Sequence, residues 1–128
     1  MKVWVNGTFD VLHKGHIKLL EYASSIGIVR VGVDADCRVK KLKGDSRPVN
    51  NLEDRKYLLK SLRCVDSVVD FSTDEELEKQ IKEWEAEIMV IGADYKDKHV
   101  VGGELVKVIF FDKIDNYSTS KIVKWKFW

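Results

Sequence analysis

The chain has 128 residues, the length of one ordinary domain, and its 22 Lys and Arg against 21 Asp and Glu give a formal charge of +1. This balance argues against a protein that coats nucleic acid or an anionic membrane, since such proteins carry a large basic excess. A composition of 45% hydrophobic and 34% charged residues excludes a disordered or low-complexity class, and no apolar run approaches the ~20 residues that cross a bilayer.

Strand and helix patterns alternate along the chain. Short runs of β-branched, aromatic or continuously apolar residues predict five strands, at 2–6, 28–33, 65–71, 87–92 and 106–111. Helical periodicity, caps and stops predict the helices in chain order: His16 to a stop at Gly27, 36–43, a helix capped by Asn51, a helix after the capping box at Thr73, and a last helix from Ser118 or Thr119 through Lys124.

This alternation predicts an α/β fold, a Rossmann-like doubly wound sheet of five parallel strands in a single domain over 1–128. Ligands of such sheets bind beyond the carboxyl ends of the strands. The loops of interest therefore follow Asn6, Val33, Phe71, Ile91 and Phe111.

Neither the N-terminal sequence nor the cysteine content indicates export. The N-terminus has no apolar signal-peptide core, so we expect a cytoplasmic protein. Cys37 and Cys64 lie far apart and have no zinc-ligand spacing with any histidine, so we expect two reduced thiols.

The loop after the first predicted strand carries the strongest chemical signal. It reads Gly-Thr-Phe-Asp-Val-Leu-His-Lys-Gly-His from Gly7 to His16. Gly15 lets backbone approach a ligand closely, and His16 lies at a helix N-terminus, which favours anions. The pattern predicts a phosphate site with imidazole donors. A metal is disfavoured because no third ligand is near and a helix N-terminus repels cations; two unrelated histidines in a turn are the simpler alternative.

This loop resembles the signature of the small nucleotidyltransferases of the cytidylyltransferase superfamily, in which Gly-Thr-Phe-Asp is followed by His-x-Gly-His (HxGH). The likeness continues to Ser118-Thr119-Ser120 and runs from Val3 to about Val123. Within the superfamily the chain is similar to the heptose 1-phosphate adenylyltransferases in five further segments: Leu42–Val49, Asp54–Arg55, Leu62–Asp66, Gly92–Tyr95 and Val100–Gly102. The glycerol-3-phosphate cytidylyltransferases are also similar, but they carry Arg-Thr-Glu-Gly-Ile where this chain has Lys113–Tyr117.

The resemblance implies that a nucleoside monophosphate is transferred from ATP to a sugar phosphate such as heptose 1-phosphate, with release of pyrophosphate and with Mg²⁺ carried by the triphosphate. The alternatives are CTP with glycerol 3-phosphate, or adenylylation of FMN. A non-catalytic nucleotide-binding domain is a different class, and the intact His13, His16, Ser118 and Thr119 argue against it.

Site residues follow from the matched motifs. We expect His13 and His16 to stabilise phosphate oxygens, with Lys43 and Thr119 as the other catalytic residues. The predicted nucleotide contacts are Gly7, Thr8, Phe9, Asp10, Gly15, Asp94, Tyr95, Ser118 and Ser120. Arg47 and Arg55 are the predicted acceptor contacts; an ion pair of Arg55 with Glu53 or Asp54 is the alternative for that residue.

Some of these residues also have simpler interpretations. Lys40 and Lys41 suit a solvated basic loop, Ser118 and Thr119 suit plain helix capping, and Asp94 with Tyr95 suits a turn. The tail of Trp125, Phe127 and Trp128 indicates a homodimer contact, or Trp125 packed on the sheet with a frayed end.

Overall fold

The structure, a computed structural model, describes residues 1–93 and 99–112. Its strands are β1 (Lys2–Gly7), β2 (Ile28–Asp34), β3 (Ser67–Phe71), β4 (Ile88–Gly92) and β5 (Lys107–Phe111). Its α-helices are α1 (Lys14–Ile26), α2 (Asp36–Lys43), α3 (Leu52–Lys60) and α4 (Asp74–Trp84), and a 3-10 turn spans Gly103–Leu105. The strands pair in parallel in the order β3-β2-β1-β4-β5, which confirms the predicted five-stranded parallel sheet.

The sheet buries both faces, as the continuously apolar strands predict. Successive side chains of β1 point to opposite faces, so Val3 and Val5 pack on one side with α1 and α3, while Trp4 packs on the other with α4. Trp4 is fully buried, and its indole Nε1 donates to Oδ1 of Asn6 at 3.2 Å. A hydrophobic core therefore stabilises each face of the sheet, and the loops lie at the edge formed by the carboxyl ends of the strands.

The helix starts confirm two predicted caps. Oδ1 of Asn51 accepts from the amide of Asp54 at 2.9 Å, and Oγ1 of Thr73 accepts from the amide of Glu76 at 3.1 Å. Gly27 ends α1 as predicted, but its φ of 176° is extended backbone. A glycine is required there because a Cβ would collide with the backbone oxygen of Met1.

The cysteines are both free thiols, Cys37 exposed and Cys64 half-buried. Burial raises the pKa of the Cys64 thiol, which keeps it protonated. None of the helices in the described ranges is long and apolar enough to cross a membrane. The predicted last helix and the aromatic tail lie outside the described residues.

Candidate active site

A cleft of about 480 Å³ opens beyond the carboxyl ends of β1, β2 and β4, where a doubly wound sheet is expected to bind its ligand. Seven of the predicted site residues line it: Gly7, Thr8, Phe9, His13, Gly15, His16 and Lys43. The wall on the β4 side is formed by Val90, Ile91, Gly92, His99, Val100 and Val101, and it is apolar apart from His99. The wall on the β2 side carries Asp34, Arg38, Leu42 and Lys43.

The two histidines of the signature loop cap α1 together. Nδ1 of His13 accepts from the amides of Gly15 at 3.1 Å and His16 at 3.4 Å. In return, Nδ1 of His16 accepts from the amide of His13 at 3.3 Å. The rings stack with centroids 3.8 Å apart. This is a capping box in which imidazoles take the places of the usual Ser or Thr and Glu.

The capping bonds fix the chemistry of both rings. A nitrogen that accepts an N–H must present a lone pair, so in each neutral imidazole the proton lies on Nε2. Both side chains line the cleft at the positive end of the α1 dipole. The arrangement offers His13 and His16 as N–H donors whose orientation is fixed by backbone, which suits phosphate oxygens.

Phe9 lines the cleft next to the end of β1. Its backbone lies in the left-handed region with φ of 49°, and its buried ring packs 5.2 Å from the His16 ring. A Cβ on Gly7 would lie 3.1 Å from Cε2 of Phe9, a tight contact, so the glycine gives the ring room to pack over the end of β1.

Asp10 lies outside the cleft lining and is fully buried. Its carboxylate accepts from Nε of Arg47 and from the amides of Val49 and Asn50, each at 2.8 Å. Burial alone would raise the pKa of Asp10, but these amides and the guanidinium hold the pKa below its usual value. The carboxylate therefore ties the signature loop to residues 47–50.

Arg55 makes a second buried junction under the site. Its guanidinium, fully buried, pairs with Asp36 at 2.6 Å and donates to the carbonyl oxygens of Thr8 at 2.9 Å and Asp34 at 2.7 Å. Its ion-pair partner is thus Asp36, not the neighbouring Glu53 or Asp54 considered from the sequence. Arg55, Arg47 and Asp10 support the loops of the site and do not line the described part of the cleft, and their predicted ligand contacts stay predictions.

Lys43 reaches the cleft from the last turn of α2, whereas Lys40 and Lys41 are exposed and do not line it. The helix ends at Gly44, whose φ of 99° few residues other than glycine adopt. The predicted distinction between Lys43 and its two neighbours therefore agrees with the geometry.

Sequence reasoning missed Asp34 and Arg38. Oδ2 of Asp34 accepts from Oγ1 of Thr8 at 3.0 Å, and its Oδ1 accepts from Nε of Arg38 at 2.9 Å. Nη2 of Arg38 donates to Asp74 at 2.7 Å. Burial lowers the pKa of Arg38, but the two carboxylates outweigh it and raise the pKa. Asp34 ends β2 and Arg38 lies in α2, so the turn between the two elements brings them together and the helical spacing rule gave no signal for this ion pair.

The remaining predicted contacts lie outside the described residues: Asp94, Tyr95, Ser118, Thr119 and Ser120. Their roles stay predictions. Within residues 1–93 and 99–112, no group of three or more His, Cys, Asp or Glu side chains could hold a metal ion.

Comparisons with known proteins agree with this geometry. A family model described as Cytidylyltransferase-like matches residues 4–124. The bifunctional protein HldE of Nitratiruptor is 47% identical over 95% of this chain, and that of Aliarcobacter butzleri is 48% identical over 95%. The chain spans only 27% and 26% of the length of these two relatives. A lipopolysaccharide core biosynthesis protein from Thermoplasma volcanium superposes with a TM-score of 0.74 at 25% identity, over 90% of this chain and 98% of that one.

Proposed function

Because the chain belongs to the Cytidylyltransferase-like family, we propose that it transfers an adenylyl group from ATP to a sugar phosphate similar to heptose 1-phosphate and releases pyrophosphate. The observation that carries the proposal is the pair of backbone-fixed Nε2–H donors of His13 and His16 at the N-terminus of α1. The relatives named bifunctional protein HldE and the lipopolysaccharide core protein support a sugar phosphate as the acceptor.

The reaction needs no covalent enzyme intermediate. An oxygen of the acceptor phosphate attacks the α-phosphorus of ATP, a new P–O bond forms, and the bond to the bridging oxygen breaks with pyrophosphate as leaving group. Negative charge shifts onto oxygens that are not fully charged in the ground state. Donors already held in place stabilise that charge without reorganising, which is how His13 and His16 would accelerate the step.

Lys43 has a different task in this proposal. Two anionic substrates must meet in one cleft, and their mutual repulsion opposes binding. The ammonium group of Lys43 on the cleft wall offsets that repulsion and steers phosphates toward the histidines. We assign it to the acceptor phosphate because it lies on the β2 wall, with α2.

The two walls suit the two substrates. The apolar wall on the β4 side fits a flat nucleobase, and the charged wall on the β2 side fits a hydroxylated, phosphorylated acceptor. Mg²⁺ enters this proposal on the triphosphate. The described residues offer no ligand set for it, so we assign it no protein ligands and no step.

Pyrophosphate release tests the proposal. The purified protein is incubated with ATP or CTP in combination with heptose 1-phosphate, glycerol 3-phosphate or FMN. We expect the fastest release with ATP and heptose 1-phosphate, and none without an acceptor. Faster release with CTP and glycerol 3-phosphate, or with ATP and FMN, would replace the substrate assignment. Absence of release from every pair would reject nucleotidyl transfer.

We also propose that the chain acts as a homodimer in the cytoplasm, where ATP is available. The aromatic residues Trp125, Phe127 and Trp128 in the sequence support the dimer, since aromatic side chains are enriched at subunit interfaces. Sedimentation of the full chain and of a Trp125→Ser, Trp128→Ser variant tests it. A dimeric wild type and a monomeric variant are expected; a monomeric wild type would reject the dimer.

A further inference from the structure

Two charged side chains that no motif singled out, Asp34 and Arg38, line the β2 wall of the cleft. Asp34 is the last residue of β2, and the register of β2 against β1 places Val33 opposite Gly7. Adjacent strands lie about 4.8 Å apart, so Asp34 is one strand away from the start of the signature loop. The Thr8 hydroxyl, which donates to Asp34 at 3.0 Å, joins the two directly.

The pair is held rigidly yet keeps hydrogen-bonding capacity. Arg38 uses Nε toward Asp34 and Nη2 toward Asp74, while its Nη1 donates to none of the described residues. Each oxygen of Asp34 accepts one bond from a side chain and has a further lone pair. The side chains are 18% and 13% exposed, so both remain accessible from the cleft.

The net charge of Asp34, Arg38 and Asp74 determines which ligand groups these side chains can bind. One guanidinium and two carboxylates, those of Asp34 and Asp74, sum to a formal charge of −1. Lys43 on the same wall offsets this charge for the acceptor phosphate, but the guanidinium of Arg38, already paired with two carboxylates, offers a phosphate no net attraction. Neutral hydroxyl groups fit these side chains well, because a carboxylate accepts from O–H and a guanidinium donates to the hydroxyl oxygen.

The opposite wall decides which substrate supplies the hydroxyls. Apart from His99 the β4 wall is apolar and fits the nucleobase, so the proposed function places the base of ATP on the side of the cleft away from the β2 wall. We propose that Asp34 and Arg38 bind the hydroxyl groups of the acceptor sugar and thereby select a polyhydroxylated sugar phosphate over glycerol 3-phosphate. This inference rests on the proposed function and names the part of the same cleft that chooses the acceptor. A site that bonds hydroxyls at fixed positions discriminates against an acceptor such as glycerol 3-phosphate that has fewer of them, because some of its polar groups are then left unpaired.

Steady-state kinetics of Asp34→Asn and Arg38→Gln test the inference. We expect the KM for heptose 1-phosphate to rise about 10- to 100-fold in both variants, since each loses a charge-assisted hydrogen bond to the sugar. The KM for ATP should be unchanged, and the KM for glycerol 3-phosphate should rise much less. The matched control is Asp70→Asn, which removes an ion pair of similar length, Lys56 to Asp70 at 2.9 Å, outside the cleft lining. It should leave all three constants unchanged.

Three results would overturn the inference. An equal rise in the KM for ATP would place the ribose of ATP, not the acceptor sugar, at Asp34 and Arg38. An equal rise in the KM for glycerol 3-phosphate, or an unchanged KM for heptose 1-phosphate, would show that the pair does not select the acceptor. A thermal unfolding scan of both variants shows whether a raised KM comes from loss of the subsite or from loss of the fold. Calorimetric titration of heptose 1-phosphate without nucleotide tests the sugar subsite independently of the proposed transfer reaction. If wild type binds it but transfers nothing, weaker binding by Asp34→Asn keeps the subsite while the proposed function fails. Equal binding by wild type and variant, or none by wild type, overturns the subsite.

Discussion

His13 and His16 each accept a backbone hydrogen bond from the other: Nδ1 of His16 receives the amide of His13 at 3.3 Å, and Nδ1 of His13 receives the amide of His16 at 3.4 Å. One nitrogen of each ring therefore serves the fold, and the other nitrogen is a donor of fixed orientation. Substitution can separate helix capping from phosphate binding, because a shorter side chain can retain an acceptor at the position of Nδ1 and lose the Nε2–H donor.

The first prediction separates them at His16. In His16→Asn the amide oxygen takes the place of Nδ1, while nothing takes the place of Nε2–H. We expect kcat to fall about 100- to 1,000-fold, the usual cost of one lost transition-state donor, with little change in the unfolding temperature. Steady-state kinetics and thermal unfolding measure the two effects. Near-normal kcat with only a raised KM would show that His16 acts in binding alone.

The second prediction concerns His13. Replacement by alanine removes both the α1 cap and the donor, so we expect about 1 kcal/mol less stability in chemical denaturation together with a large loss of turnover. Thr73→Ala is the matched control, because Thr73 caps α4 by one bond to the amide of Glu76 and does not line the cleft. It should lose similar stability and keep its kcat. If Thr73→Ala lost as much turnover as His13→Ala, the effect of the His13 substitution would come from reduced stability and not from the lost donor.

A third prediction follows from the buried carboxylate of Asp10. We expect Asp10→Asn to cost about 3 kcal/mol at pH 7, because it removes the buried carboxylate to which the Arg47 guanidinium and two backbone amides donate. The folded pKa of Asp10 lies below its ordinary value of 3.8, so the ionised form stabilises the fold above that value and this contribution is lost as pH falls through the folded pKa.

The stability difference between wild type and Asp10→Asn should therefore be constant near neutrality and shrink below about pH 4. Urea denaturation of both proteins from pH 3 to pH 7 measures it. A difference that grew on acidification would mean that the pKa of Asp10 is higher in the folded than in the unfolded protein.

The fourth prediction concerns Gly32 in β2. A Cβ there would lie 2.5 Å from Cζ2 of the fully buried Trp4, a contact that requires the indole to move. We expect Gly32→Ala to destabilise the protein by about 2 kcal/mol. Gly103→Ala is the control, because its added carbon would meet neighbours at 3.4 Å, an ordinary contact. Equal destabilisation of both variants would show that helix and strand propensities, not the indole, set the cost.

Local sequence signals predicted the elements well, because they act over three or four residues. Asn51 and Thr73 cap their helices as predicted, since each cap needs only an acceptor side chain three residues before an amide. The same spacing relates His13 to His16, so their capping box could also have been predicted; imidazole is simply not the usual capping group.

The buried ionic junctions could not be predicted in this way. The partners of Asp10 lie 37 to 40 residues along the chain, and nothing next to Asp10 marks it as buried. Arg55 likewise depends on Asp36, Asp34 and Thr8, which the fold of the sheet brings under α3. Motif matching identifies such residues as important without showing whether they contact the ligand or support the loops that do.

The central claim, adenylyl transfer to a sugar phosphate, is tested most directly by a competition for the cleft. ATP and CTP are supplied at equal concentration with equal heptose 1-phosphate and glycerol 3-phosphate, and the products are identified by mass spectrometry. The account predicts that ADP-heptose predominates, and that His16→Asn forms it far more slowly from the same mixture. Predominance of CDP-glycerol, or no nucleotidyl product with the wild-type protein, would contradict it.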